Sequence, residues 1–274
     1  MPELPEVEII RRGLERHVLG RRIARFTVRE PRLRTRLAPR SLGRVLVGRS
    51  IEALDRRAKY LLLHLSGGQV LVVHLGMTGQ LVVERAGAPL RPHTHVRIGL
   101  EADVELRFVD ARRFGQMFVV TSAELHTHPR LARLGPEPLG PGFTPEHLRA
   151  RAWRARRTVK SFLMDAGVVA GLGNIYAAEA LHRAGVHPGT RAGRLSLGRW
   201  KRVHAAVREV LDEALLAGGT TLQDYRDADG QRGRFQMRLR VYGHEGDKCA
   251  RCHHRIRRSV QSGRSTFYCP GCQH

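Results

Sequence analysis

The chain has 274 residues, and all four of its cysteines fall in the last 26, at Cys249, Cys252, Cys269 and Cys272. Each pair is C-x-x-C, and 16 residues separate the pairs. Two residues between ligands let a tight turn aim both sulfurs at one ion, and a hairpin between the pairs closes a tetrahedral Cys₄ site. Two disulfides are the other reading; they suit an oxidising compartment, and nothing else in the chain points to one. His253, His254 and His274 are spare donors, but four thiolates suffice. A tail this small cannot hold itself together by apolar burial, so one structural Zn²⁺ is expected to supply the folding energy of residues 238–274.

The remainder divides by pattern. Val7, Ile10, Leu14 and Val18 recur at helical spacing, with Gly20 as a stop. From about Arg22 to Val120 the runs become short, apolar or alternating, as in Tyr60–Leu65, Val70–His74, Val96–Leu100, Val104–Val109 and Gln116–Val120. That pattern predicts a β-sandwich with flanking helices over residues 1–128. Five prolines between His128 and Pro145 mark residues 129–145 as a linker. Beyond it, Thr144-Pro145 reads as a helix cap with proline in the first turn. Ser196 precedes a long amphipathic stretch through Trp200, Val203, Val207, Val210, Leu211, Ala214 and Leu215, ended by Gly218-Gly219. Residues 146–237 are therefore predicted to be helical, with a polar, glycine-rich loop near their end. The fold class is α+β, in several domains.

Charge narrows the partner. The chain carries 48 Lys and Arg against 25 Asp and Glu, a formal net charge of +23. No apolar run is long enough to span a bilayer, and the opening Met-Pro-Glu-Leu-Pro-Glu-Val-Glu lacks the apolar segment of a secretory signal. An intracellular protein with this charge meets polyanions, nucleic acid foremost, although a merely basic ribosome-like protein has the same balance. Only Lys59, Lys160, Lys201 and Lys248 are lysine. An ammonium can give up a proton near neutral pH and a guanidinium cannot, so each of the four is a candidate for chemistry.

The N-terminus is a candidate reagent. Removal of Met1 would expose a secondary amine at Pro2, able to condense with a sugar C1′ to an iminium. Such amines titrate near pH 8, and Glu3 stands beside it as proton donor or acceptor. The plainer reading is a Met-Pro start before a helix whose dipole Glu3 and Glu6 complement. At the finger tip, Gly263-Arg264-Ser265-Thr266-Phe267 reads equally as a phosphate contact or as a solvated hairpin.

Several motifs carry a resemblance. Pro2-Glu3-Leu4-Pro5-Glu6-Val7-Glu8, Arg57-Ala58-Lys59-Tyr60-Leu61-Leu62, His74-Leu75-Gly76-Met77-Thr78-Gly79, Asp110-Ala111-Arg112-Arg113-Phe114-Gly115, Gly173-Asn174-Ile175-Tyr176-Ala177 and the Cys₄ tail stand in one order from residue 2 to residue 272. Together they resemble the formamidopyrimidine-DNA glycosylase family. Ala111 and Ser161 depart from it, standing where the family commonly has proline. The resemblance implies an enzyme that excises oxidised purines, 8-oxoguanine and formamidopyrimidines, from double-stranded DNA and then nicks the abasic strand. It implies Pro2 as nucleophile, Glu3 as the acid on the opening sugar, Lys59 beside the reacting sugar and Arg264 on the phosphate in the second elimination. Met77, Arg112 and Phe114 match the residues that fill the gap left by a flipped base. His74, His93, Arg156, Lys160 and Asn174 match DNA contacts, Asn174 within a helix–two-turn–helix module. Residues 220–236 match a loop that covers the flipped base. The family pattern further implies a monomer, free of membranes, in the bacterial cytoplasm at the nucleoid.

Two other readings compete. An endonuclease VIII-like enzyme would use the same nucleophile on oxidised pyrimidines; Leu4, and a Met77/Arg112/Phe114 set split over two loops, speak against it. A zinc-ribbon DNA-binding protein without chemistry would have no use for Pro2, Glu3 and Lys59 together.

Overall fold

The computed structural model describes residues 2–220 and 235–274. These fall into two compact units, 2–132 with 217–220, and 133–216 with 235–274.

The first unit opens with helix α1 (Leu4–Val18), whose Val7, Ile10, Leu14 and Val18 are all buried. Eight strands follow: β1 (Ile23–Val28), β2 (Ile51–Arg57), β3 (Tyr60–Leu65), β4 (Gln69–His74), β5 (Gln80–Arg85), β6 (Thr94–Leu100), β7 (Val104–Val109) and β8 (Gln116–Thr121). They form two antiparallel four-stranded sheets, ordered β1-β6-β7-β5 and β2-β3-β4-β8. Leu61, Leu63, Leu71 and Val73 of one sheet and Val96, Ile98, Leu106 and Phe108 of the other share a single core with the apolar stripe of α1. On the opposite face of the second sheet, Leu62, Val70, Val72 and Val120 form a smaller cluster. Burial on both faces is why β3 and β4 read as continuous apolar runs rather than alternating ones. A short helix, α2 (Pro39–Leu46), was not anticipated; it buries only Leu46, too little to leave a periodic signal.

In the second unit, Thr144 caps α3 (Pro145–Arg151) by accepting the His147 N–H at 3.0 Å. Then come α4 (Val159–Leu163), α5 (Asn174–Ala184) and the long α6 (Leu197–Leu216), which packs on both α3 and α5. Gly185, at φ +67°, ends α5 in the left-handed conformation. A two-stranded ribbon, β9 (Arg257–Gln261) and β10 (Arg264–Tyr268), completes the unit. The proline-rich stretch expected to be a linker is bonded into this unit from residue 135 onward: Gly135 N–H donates to Ala166, and Pro136 C=O accepts from Ala170. No helix among the described residues is long and apolar enough to cross a membrane.

Two loops of the first unit are locked together by one carboxylate. Asp110 is fully buried. Its Oδ1 accepts from the Thr78 hydroxyl at 2.5 Å, on the β4–β5 loop, and its Oδ2 accepts the Gly115 N–H at 2.7 Å, on the β7–β8 loop. Thr78 Oγ1 in turn accepts the Arg112 N–H at 3.1 Å. Gly76, at φ +69°, lies so close to the other loop that a Cβ would stand 2.4 Å from the Phe114 carbonyl carbon. We expect Gly76→Ala to destabilise this unit by roughly 2–4 kcal/mol, through left-handed strain and overpacking against backbone. A urea midpoint equal to that of the parent chain would contradict this.

Candidate active site and nucleic-acid interface

In the first unit the N-terminus is held by a carboxylate. Pro2 is buried, and Glu3 and Glu6 are 2% and 1% exposed. Glu3 occupies the N-cap of α1 in a capping box: its side chain accepts the Glu6 N–H, and Glu6 Oε2 accepts the Glu3 N–H at 2.8 Å. The second oxygen, Glu6 Oε1, accepts the Thr220 N–H at 2.8 Å. Gly219 reaches this position at φ +79°, where a Cβ would stand 3.1 Å from Glu6 Oε1. In the sequence Gly218-Gly219 reads only as a helix stop; the pair also brings the chain back to the Glu6 carboxylate. Of the loop expected at 220–236, residues 221–234 lie outside the described residues.

Lys59 stands at the tip of the β2–β3 hairpin, where Arg57 pairs with Tyr60 and only Ala58 and Lys59 make the turn. Ala58 is buried and adopts φ +53°. Arg56 ties this tip to α1: its Nη1 donates to the Ala58 carbonyl at 2.9 Å and its Nε to Glu8 at 3.2 Å. Burial works to raise the Glu8 carboxyl, but hydrogen bonds from Arg11 and Arg12 and the charges of Arg11 and Arg56 outweigh it and hold the group below its ordinary value. Neither Arg56 nor Glu8 stood out as a site residue in the sequence. Arginine is too common in this chain for one to be singled out, and Glu8 gave no signal beyond its place beside Glu3 and Glu6.

His74 closes β4. Its Nδ1 accepts the Gly76 N–H at 3.0 Å, which leaves Nε2 to carry the ring proton. Burial, followed by the nearby charges of Lys59, Arg34 and Arg130, depresses its pKa to about 4. The ring is therefore a neutral donor at physiological pH. We expect its NMR resonances to stay unshifted from neutral pH down to about pH 5.5, where an ordinary histidine is already mostly charged; a midpoint near 6.5 would refute this.

The two interlocked loops carry Met77, Arg112 and Phe114. Met77 and Phe114 are each 39% exposed, and the Arg112 guanidinium lies 4.8 Å from the Phe114 ring centroid. His93 is exposed, at φ +62°, next to this group in the fold through the hydrogen bond from Asp110 N–H to its carbonyl. Asp110, which positions the set, lay inside a quoted motif without a role. A buried acid and a loop threonine 32 residues apart give no local signal.

The second unit holds the remaining residues. Between α4 and α5 the chain turns through residues 166–171, and Asn174 opens α5. Asn174 Nδ2 donates to the Ser265 carbonyl of β10 at 3.1 Å. Lys160, expected on DNA, is only 1% exposed; its ammonium donates to Ser265 C=O at 3.0 Å and Thr266 Oγ1 at 2.7 Å. Its compact head fits two internal acceptors, so it fastens the ribbon to α4 instead of meeting solvent. Arg156 and Arg264 are exposed, Arg264 directly after the Ser262-Gly263 turn that joins β9 to β10.

The four cysteine sulfurs lie within 4.8 Å of one another, with Cys252–Cys272, Cys252–Cys269 and Cys249–Cys272 at 3.2, 3.3 and 3.8 Å. A tetrahedral Zn–S₄ centre with bonds of about 2.3 Å needs sulfurs about 3.8 Å apart, so the set fits zinc. His182 Nε2 stands 3.5 Å from Cys249 Sγ, and the Arg251 N–H is directed at the same sulfur at 3.4 Å. Such donors orient and polarise a ligating thiolate. Glu179 of α5 is buried and accepts the N–H groups of Arg240, Val241 and Tyr242, which fixes the chain entering the finger. Chelating the zinc is expected to abolish DNA binding while the sandwich unit keeps its β-sheet circular dichroism; apo protein that binds as tightly as holo protein would show the finger to be dispensable.

The architecture, a β-sandwich unit and a helical unit ending in a Cys₄ ribbon, is one that DNA glycosylases use. Residues 1–117 match the formamidopyrimidine-DNA glycosylase N-terminal domain, residues 134–226 the H2TH domain of the same family, and residues 246–274 the zinc finger found in FPG and IleRS. The formamidopyrimidine-DNA glycosylases of Alkalilimnicola ehrlichii and Thioalkalivibrio sulfidiphilus are 50% and 48% identical over the full length of both chains. Among solved structures, Lactococcus lactis Fpg in complex with abasic-site DNA superimposes with a TM-score of 0.94 at 32% identity over all of both chains. A variant of that enzyme bound to Fapy-dG DNA gives 0.93 at 33%, again over all of both chains. The chain belongs to the formamidopyrimidine-DNA glycosylase family.

Proposed function

We propose that this chain excises oxidised purines from double-stranded DNA through the amine of Pro2 and then cleaves the abasic strand by β,δ-elimination. The observation that carries the reading is the buried Pro2-Glu3 pair at the start of α1, where one oxygen of Glu6 accepts the Glu3 N–H and the other the Thr220 N–H. Met1 must be removed for the nitrogen to be an amine. Pro2 N then attacks C1′, the glycosidic bond breaks, and the base leaves with a proton. Glu3 protonates the sugar-ring oxygen as the ring opens, leaving an iminium between Pro2 and C1′. The iminium acidifies the C2′ hydrogen, so the 3′ phosphate and then the 5′ phosphate depart, leaving a one-nucleotide gap. Lys59 is assigned to proton transfer beside the sugar and Arg264 to the phosphate in the second elimination.

A base inside a duplex is out of reach, so it must be flipped and its place filled. Met77 and Phe114 supply apolar bulk from their loops, and Arg112 presents donors to the base left behind. His74, through its Nε2–H, and His93, Arg156 and Asn174 are assigned to the DNA backbone. Lys160 is assigned to it indirectly, through the ribbon it holds. The protein acts as a monomer in the cytoplasm, at the nucleoid.

Borohydride reduction with 8-oxoguanine duplex is expected to trap a covalent adduct whose mapped attachment is Pro2; attachment at Lys59 would overturn the assignment. Glu3→Gln should depress base excision more than nicking of a preformed abasic site. Equal losses would remove Glu3 from the glycosidic step.

Cytosine offers Arg112 two acceptors, O2 and N3, whereas adenine sets its N6 donor against the guanidinium. A buried unpaired donor costs about 1–3 kcal/mol, roughly ten- to hundredfold in rate. Excision opposite cytosine should exceed excision opposite adenine by that factor. Arg112→Ala should shrink the preference, and Phe114→Ala should slow both pairings alike. A full cytosine preference in Arg112→Ala would exclude Arg112 as the reader.

A further inference from the structure

The chain has two tryptophans, and they have opposite environments. Trp200 is fully buried in the helical unit, 5.5 Å from the Phe162 ring, whereas Trp153 is 75% exposed. Trp153 lies in the turn between α3 and α4. The segment Arg149-Ala150-Arg151-Ala152-Trp153-Arg154-Ala155-Arg156-Arg157 places five arginines around it, all exposed.

The turn is built, not loose. Ala152 is 2% exposed, and Trp153 N–H donates to Ala150 C=O at 3.2 Å. Gly193 packs bare backbone against it, donating to Ala155 C=O at 3.1 Å; a Cβ at Gly193 would stand 2.9 Å from that oxygen. Arg154 adopts φ +59°, a left-handed conformation that a long side chain enters at a cost. Its guanidinium lies 5.9 Å from the Trp153 ring. Of the five arginines, Arg157 is paired with Asp165 at 2.7 Å; Arg149, Arg154 and Arg156 have no ion pair among the described residues.

We propose that Trp153 and Arg154 form a stacking platform for unpaired bases of single-stranded DNA. The charge around the ring selects a polyanion. A duplex wall of phosphates can use an indole only through its N–H and leaves the π face idle. A strand with free bases offers π faces to the ring and phosphates to the arginines, the pairing that sequence-tolerant single-strand binders use. An acidic protein surface would answer the charge but leave three quarters of a large aromatic side chain unused.

Trp153 can report on itself, because Trp200 is shielded from solvent. Titrating the zinc-loaded full chain with a short, lesion-free oligothymidylate at fixed low salt should quench the exposed tryptophan. Trp153→Ala should weaken that binding about tenfold, within the range of one base–aromatic stack. Trp153→Phe should restore most of it, and Arg154→Ala should lose a smaller part. Excision from a fully paired 8-oxoguanine duplex should be unchanged in Trp153→Ala. Unaltered oligothymidylate affinity in Trp153→Ala would overturn the proposal. So would equal quenching by polyglutamate or by a closed dumbbell duplex, since neither offers a free base. A matching loss of duplex excision would assign Trp153 to the duplex grip and also refute it.

Discussion

The Glu6 carboxylate joins three pieces of chain: the N-terminal pair, the first turn of α1 and the segment arriving at Thr220. Hydrogen bonds from backbone N–H groups to an ionised acceptor contribute about 1.5–3 kcal/mol each, and removing the acceptor strands buried donors as well. Asp110 does the same for the β4–β5 and β7–β8 loops, and Glu179 for the chain entering the finger. In a protein of net charge +23, a few buried carboxylates act as positioning elements. Glu179 shows the opposing forces: burial raises its carboxyl above the ordinary range, and three N–H donors pull against it.

Much of this was legible in the sequence because it rests on local pattern. The α1 stripe, the strand runs, the Thr144 cap and the cysteine spacing each concern residues a few positions apart, and each stands where it was read. What escaped depends on contacts between distant segments. Asp110 to Thr78, Arg56 to Glu8 and Glu6 to Thr220 span 32, 48 and 214 residues, and no periodicity records them. Composition singled out Lys160 for the chemistry of an ammonium, and the structure gives it a buried position. There a compact ammonium enters the interior and reaches the Ser265 carbonyl and the Thr266 hydroxyl.

The finger is likewise more than a closed metal loop. Ser265 C=O receives both Lys160 and Asn174, so the ribbon, α4 and the start of α5 meet on one carbonyl. The four thiolates shape the ribbon and the ribbon shapes the helix entrance, which makes the zinc site a structural support for residues that never touch it. Gln273 adds a second tie, from Cys269 N–H through its side chain to Val186 C=O.

The interlock of Gly76 with the Phe114–Gly115 backbone bears on how fast undamaged DNA can be surveyed. If Met77, Arg112 and Phe114 fill the gap as proposed, they do so from loops already tied to one another, so testing a base step would cost the duplex its stacking and the protein little ordering. Rejection of a sound base pair is then governed by how strongly that pair resists opening. On that reading a weakened pair would yield where a sound one would not, and the decision at each position would turn on the stiffness of the DNA more than on a rearrangement of these two loops.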